Sequence, residues 1–145
     1  MKKAVILFNS RTGTTGNYAR EIGKYIETKG IEVALSSIQG YKYNQEILEN
    51  ADYVLLGCWT SGWMVILQHP EDVWKEFASK LPDMLNAKLA LFTTYKILTG
   101  SMFRNMNKEL EGKFARPSVE LKSRNGTLSA DDKKAIDRFL EISDN

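Results

Sequence analysis

Four side-chain hydroxyls fall within six residues, at Ser10, Thr12, Thr14 and Thr15, interleaved with Arg11 and Gly13 and followed by Gly16-Asn17. The cluster comes directly after an apolar run, Ala4-Val5-Ile6-Leu7-Phe8, and directly before a segment whose apolar positions recur at three- and four-residue steps. A helix that opens there presents N–H groups with no intrahelical acceptor, and those groups favour an anion. Hydroxyls donate to phosphate oxygens, and glycine lets the backbone curve closely around them. The same composition also makes ordinary turns and caps; its density and its place after a strand favour a phosphate cradle. The loop has neither the lysine of a nucleoside-triphosphate P-loop nor G-x-G-x-x-G spacing, so neither a triphosphate nor NAD is supported. A neutral cradle for one phosphate monoester fits better.

Alternating strands and helices must position this loop. The pattern predicts strands at 3–9, 31–35, 53–58, 88–93 and 115–122, with a helix after residue 16 that Gly30 ends. Further helices are expected at 44–50, 70–80, 101–111 and 130–142. The buried positions expected on them are Ala19, Ile22 and Ile26 with Tyr18 and Tyr25, then Ile47 and Leu48, then Val73, Trp74 and Phe77, and finally Ala135, Ile136, Phe139 and Leu140. Pro70 with Glu71-Asp72 suits a helix start, and Ser129 an N-cap. Strands joined by helical crossovers make a parallel sheet covered on both faces. The fold class is therefore α/β, one domain over 1–145: a three-layer, doubly wound five-stranded parallel sheet of order 2-1-3-4-5, with the apolar strands 1, 3 and 4 central. Ligands bind at the carboxyl ends of such strands, which points to three loops, 10–16, 59–64 and 93–100.

Residues 10–15 match the pattern Ser/Thr-x-Thr-Gly-x-Thr/Asn after a first strand, and on this motif, strand order and length the chain resembles the short-chain branch of the flavodoxin family. The resemblance implies a flavodoxin-like fold with flavin mononucleotide (FMN) as cofactor. Ser10, Thr12, Gly13, Thr14 and Thr15 would hold its phosphate, and Arg11 and Asn17 would add donors. The family's second loop often reads Gly-Ser/Cys-Pro-Thr-Trp/Tyr-Gly; here Gly57, Cys58 and Thr60 are in place while Trp59 and Ser61 depart from it. Trp59 or Trp63, with Trp63 preferred beside Gly62, would lie on the flavin ring. A peptide at Gly62 that flips to hydrogen-bond a protonated flavin N5 is also implied, an ordinary turn being the alternative. In the third loop Thr93 and Thr94 would bond the ring's carbonyl edge and Tyr95 would stack on it. No acidic residue stands between Asn86 and Glu109, a departure that implies a less negative reduction potential than is usual in the family.

The 20 basic and 18 acidic residues nearly balance, a net charge of +2 that supplies no field for nucleic acid or an anionic membrane. Family members are usually strongly acidic, so this near balance is a further departure. The apolar runs are strand-sized and far short of the roughly 20 residues of a bilayer span. One cysteine, Cys58, fits a reducing, cytoplasmic setting, and no metal site is expected. Cys58 has no arginine nearby to serve a phosphatase, and His69 beside Pro70 reads as a surface or cap residue. Three functions stay open. The first is a low-potential electron carrier between redox partner proteins, a reductase and an acceptor, as a monomer or weak homodimer. The second is an FMN-dependent oxidoreductase acting on a quinone, porphyrinogen or other small acceptor, served by the apolar stretch from Trp59 to Leu67. The third is a flavin-free binding or regulatory module.

Overall fold

The computed structural model describes residues 2–9, 13–38, 45–48, 50–59, 72–83, 86–95, 102–114 and 119–141, the side chains of residues 45, 72, 73, 75, 80 and 109 excepted. Among these, five strands, β1 (Lys3–Asn9), β2 (Glu32–Ser37), β3 (Tyr53–Trp59), β4 (Lys88–Thr94) and β5 (Val119–Ser123), alternate with helices. The helices are α1 (Thr14–Glu27), α2 (Asp72–Lys80), α3 (Met102–Glu109) and α4 (Ala130–Leu140), with a 3-10 turn at Gln45–Leu48. All strand pairs are parallel, and the order is β2-β1-β3-β4-β5. No helix among the described residues is long and apolar enough to cross a membrane.

Strand alternation divides the core in two. Ala4 and Ile6, Tyr53 and Leu55, and Ala90 and Phe92 face α1 and α4, packing on Tyr18, Ala19, Ile22, Ile26, Ile136 and Phe139. Their neighbours Val5, Leu7, Val54, Leu56, Leu89 and Leu91 face α2 and α3, against Trp74, Phe77, Met102 and Met106. Because β1, β3 and β4 are buried on both faces they read as continuous apolar runs, while the mixed burial of β2 and β5 marks the sheet edges.

Most predicted elements lie where the pattern puts them, with shifts at their ends. α1 opens at Thr14, before the expected end of the loop at Gly16, because Thr14, Thr15 and Gly16 form its first turn. Of the segment expected as a helix at 44–50, Gln45–Leu48 form a 3-10 turn with Leu48 buried and Ile47 half-buried, and residues 44 and 49 lie outside the described residues. Pro70, Glu71 and residues 115–118 lie outside the described residues, as does the side chain of Val73. Ser129 caps α4 as expected, accepting from the Asp132 N–H at 3.0 Å, while Asp132 accepts from the Ser129 N–H at 3.2 Å in a reciprocal capping box.

The first and last helices are joined by two tyrosine–aspartate hydrogen bonds. Tyr18 donates to Asp132 Oδ2 at 2.9 Å in the buried core, and two turns along α1 Tyr25 donates to Asp137 Oδ1 at 2.7 Å nearer the surface. Lys29 adds an ion pair to Asp137 at 3.4 Å and lies over the Tyr25 ring, 5.0 Å from its centroid. The Tyr25 hydrogen bond and then Lys29 hold the Asp137 carboxyl below its ordinary range, although this pair is open to solvent and its contribution is screened.

Beneath these contacts Gly57 stands in register with Phe92, and a Cβ there would lie 2.1 Å from the Phe92 ring. Gly57→Ala is expected to cost about 2–4 kcal/mol by overpacking; adding Phe92→Leu should return part of that loss in urea unfolding, and a null effect of the single change would contradict the packing. A second outcome concerns pH. Burial first, and Asp132 second, push the Tyr18 phenol well above its ordinary 10.0. Its stabilisation is therefore complete below pH 10 and is lost as pH rises above it, because the unfolded chain ionises there while the folded one does not. Tyr18→Phe should cost about 1–3 kcal/mol at neutral pH. Its deficit against wild type should shrink by up to about 1.4 kcal/mol per pH unit above pH 10, whereas a constant deficit would mean an unshifted phenol.

Candidate functional site

β1 ends at Asn9 and α1 begins at Thr14, so the hydroxyl-rich loop joins the carboxyl end of β1 to a helix N-terminus. This is where the winding reverses, because β2 flanks β1 on one side and β3 on the other. Gly13 is the N-cap of α1 at φ 90° and ψ −12°, and the Asn17 N–H returns to its carbonyl at 2.9 Å. Gly13 has no side chain with which to cap the helix, and no acidic residue occupies its first turn. Helix geometry leaves first-turn N–H groups without intrahelical acceptors, so a helix start carries a positive dipole, here with no carboxylate in the first turn to oppose an anion. Hydroxyl and amide donors without a carboxylate are the chemistry of a phosphate monoester site, and the residues present fit that group. Ser10, Arg11 and Thr12 lie outside the described residues.

Thr15 is buried, and its hydroxyl meets that of Thr94, the last residue of β4, at 2.5 Å. One hydroxyl of the pair donates to the other, so the start of α1 is tied to the end of β4 over the intervening β3. Thr93, on the opposite face by strand alternation, is fully buried and donates to the Cys58 carbonyl at 2.6 Å, so its proton is engaged within the protein. Trp59 closes β3 as a half-buried residue in register with Thr94. Thr60, Ser61, Gly62 and Trp63 lie outside the described residues. Tyr95 follows β4, half-buried; its N–H donates to the Ser123 carbonyl at 3.2 Å, and the Arg124 guanidinium lies 5.5 Å from its ring centroid.

A fourth loop reaches the same edge. After β5, Ser123 Oγ accepts from the Gly126 N–H at 3.0 Å and lies 3.1 Å from the Thr127 carbonyl, while Asn125 Oδ1 accepts from the Thr127 N–H at 3.1 Å. Gly126 adopts φ 79°, and a Cβ on it would stand 2.7 Å from the Thr14 carbonyl oxygen. Asn17, expected to add a donor for the phosphate, donates one side-chain amide proton to the Gly126 carbonyl at 3.0 Å. Sequence reasoning followed three loops and passed over this one. Its signal was the Asn125-Gly126 turn dipeptide directly after a strand, at the carboxyl edge that all parallel strands share.

Comparison with known proteins agrees with this geometry. The flavodoxin family model matches residues 6–139. Over 126 residues, 82% of its length, the chain is 31% identical to the sulfite reductase [NADPH] flavoprotein alpha-component of Bacillus subtilis (strain 168), and it spans 20% of that protein. Among solved structures, the two-electron reduced flavodoxin of Megasphaera elsdenii superposes with a TM-score of 0.76 at 24% identity, covering 94% of this chain and 96% of that one. Flavodoxin 2 of Bacillus cereus gives 0.69 at 18%, covering 94% of each. At these identities the structural likeness fixes the fold.

The Thr15–Thr94 pair is open to a double-mutant cycle. Thr15→Val and Thr94→Val should each cost about 1–2 kcal/mol by leaving one hydroxyl buried without its partner. The double variant should cost clearly less than their sum, and strict additivity in thermal or urea unfolding would show that the two hydroxyls do not interact.

Proposed function

Because the chain belongs to the flavodoxin family, we propose that it binds FMN at the carboxyl edge of its sheet and carries electrons between redox partner proteins. The observation that carries the reading is the place of the α1 N-terminus at the point of winding reversal, with Gly13 at its N-cap and no acidic residue in its first turn. The phosphate would sit against Ser10, Arg11, Thr12, Gly13, Thr14 and Thr15. Ser10 and Thr12 offer hydroxyl protons, and the first-turn N–H groups offer the rest. Trp59 or Trp63, together with Tyr95, would cover the flavin ring and keep water from it. Thr60, Ser61 and Gly62 would complete the loop that passes the ring, and Thr94 would approach its carbonyl edge from β4, whereas Thr93 is buried on the other face and engaged with Cys58.

When bound, FMN supplies reversible one- and two-electron chemistry, and the protein's part is to hold and tune it. Here the tuning begins from a nearly neutral chain, with 20 basic against 18 acidic residues. Weak net repulsion of an added electron favours a reduction potential less negative than an acidic surround would give, and docking through local contacts rather than a broad field. The Bacillus subtilis relative is, by its name, the flavoprotein component of a larger reductase. The role of electron transfer with a reductase and an acceptor, in the cytoplasm, rests on the same family premise.

Titration of the apoprotein with FMN, followed by flavin fluorescence and the visible spectrum, tests this reading. Quenched emission and a perturbed absorption band with saturation at micromolar or lower concentration are expected. Thr12→Ala should weaken FMN by roughly tenfold, the loss of one hydrogen bond to a charged group, and leave riboflavin where it was. An apoprotein that fails to take up FMN at micromolar concentration would overturn the reading.

A further inference from the structure

Asn125-Gly126 is the one Asn-Gly pair in the chain, and the fold leaves no alternative at its second position. Gly126 is buried at φ 79°, and a Cβ there would stand 2.7 Å from the Thr14 carbonyl oxygen. Its own carbonyl accepts from the Asn17 side chain at 3.0 Å. Asn125 beside it is exposed. A glycine places no side chain over its own nitrogen, so in a free chain that nitrogen reaches the carboxamide carbon of the preceding asparagine with little hindrance.

The chemistry open to such a pair is intramolecular acyl transfer. The Gly126 nitrogen forms a bond to the Asn125 carboxamide carbon, the bond from that carbon to its amide nitrogen breaks, and the Gly126 proton leaves with it as ammonia. Water then opens the resulting succinimide at either carbonyl and gives aspartate or isoaspartate at position 125. No electrons are gained or lost, and water is the only co-reactant.

In the folded chain both reacting groups are held in other bonds. The nucleophile's N–H donates to Ser123 Oγ at 3.0 Å. The carboxamide oxygen accepts from the Thr127 N–H at 3.1 Å and from the Thr127 hydroxyl at 2.6 Å. Ring closure needs rotation of the Asn125 side chain and of the peptide that follows it, and those rotations break these bonds. The turn is itself seated on α1 through Thr14 and Asn17.

We infer that Asn125 is a modification site, converted spontaneously to aspartate and isoaspartate, and that the turn from Ser123 to Thr127, seated on α1, holds the reaction back. Modification therefore follows local opening of this turn. The two products differ in consequence. Aspartate keeps the oxygen that Thr127 bonds, whereas isoaspartate lengthens the main chain by a methylene immediately before Gly126 and displaces it from α1.

The test incubates the full chain at mildly alkaline pH, folded and in urea, and follows residue 125 by peptide mass spectrometry, with isoaspartate separated from aspartate by chromatography. The folded chain should react at least about tenfold more slowly than the unfolded one, since several bonds must open together. Thr127→Val removes the hydroxyl from the carboxamide, and Asn17→Ala removes the tie to Gly126 from 109 positions away. Each should speed the reaction of the folded chain roughly two- to tenfold, the range that one hydrogen bond supplies. Tyr25→Phe, which removes the bond to Asp137 between α1 and α4 without touching the turn, should leave the rate at its wild-type value. Equal rates in the folded and unfolded chains, no modification in urea, or unchanged rates in both Thr127→Val and Asn17→Ala would overturn the inference. So would equal acceleration by Tyr25→Phe and Asn17→Ala, because the reaction would then pass through global unfolding rather than through this turn.

Discussion

The ligand edge of this protein depends on one missing side chain. Phe8, Gly57 and Phe92 stand in register across β1, β3 and β4, and only the middle position lacks a Cβ. The Phe92 ring occupies that space, and Tyr18 from α1 meets it edge-on with centroids 6.0 Å apart and planes at 82°. Such aromatic pairs add roughly 0.5–1.5 kcal/mol beyond the area they bury. Here the geometric effect matters more. With the ring lying low over β3, α1 settles close enough to the sheet for the Thr15 hydroxyl to reach Thr94 over an entire strand.

The two helices on this face treat their N-termini in opposite ways. α4 is closed by its own side chains, Ser129 and Asp132 satisfying each other's N–H groups, and Asp132 also receives the Tyr18 phenol. A carboxylate at a helix start is favoured by the dipole, and this one secures two elements at once. α1 starts on Gly13, which has no side chain to cap it, and carries no acid in its first turn. A glycine N-cap forgoes only about a few tenths of a kcal/mol against a hydroxyl or carboxylate cap, and this one stands at the reversal of winding.

Much of this was legible because periodicity and burial are local properties of the chain. The apolar runs of β1, β3 and β4 and the stripe Ala19, Ile22, Ile26 read directly as buried elements, and the alternation of elements dictated the sheet order. Ser129 was legible as a cap because a hydroxyl before an acidic first turn has few other uses. What the pattern could not carry were hydrogen bonds between residues far apart in sequence. Nothing near Asn17 announces Gly126, and nothing near Thr15 announces a partner 79 positions away. Gly57 reads as one more family-like glycine in its loop motif; its mechanical role appears only when Phe92 is placed in the neighbouring strand. The loop after β5 was missed for a related reason: short, polar and at a sheet edge, it resembles ordinary connecting chain.

The joining of α1 to the β5–α4 loop bears on how the protein is made. Asn17 and Tyr18 find their partners at Gly126 and Asp132, more than a hundred positions later. On the ribosome, β1, α1, β3 and β4 emerge long before the segment that seats α1, so its first turn stays without those supports for most of synthesis. Any site that needs this turn in place is complete only once α4 has joined it. A nascent chain halted before that point holds the sequence of a phosphate loop without the neighbours that fix it, which separates possession of the motif from possession of the site.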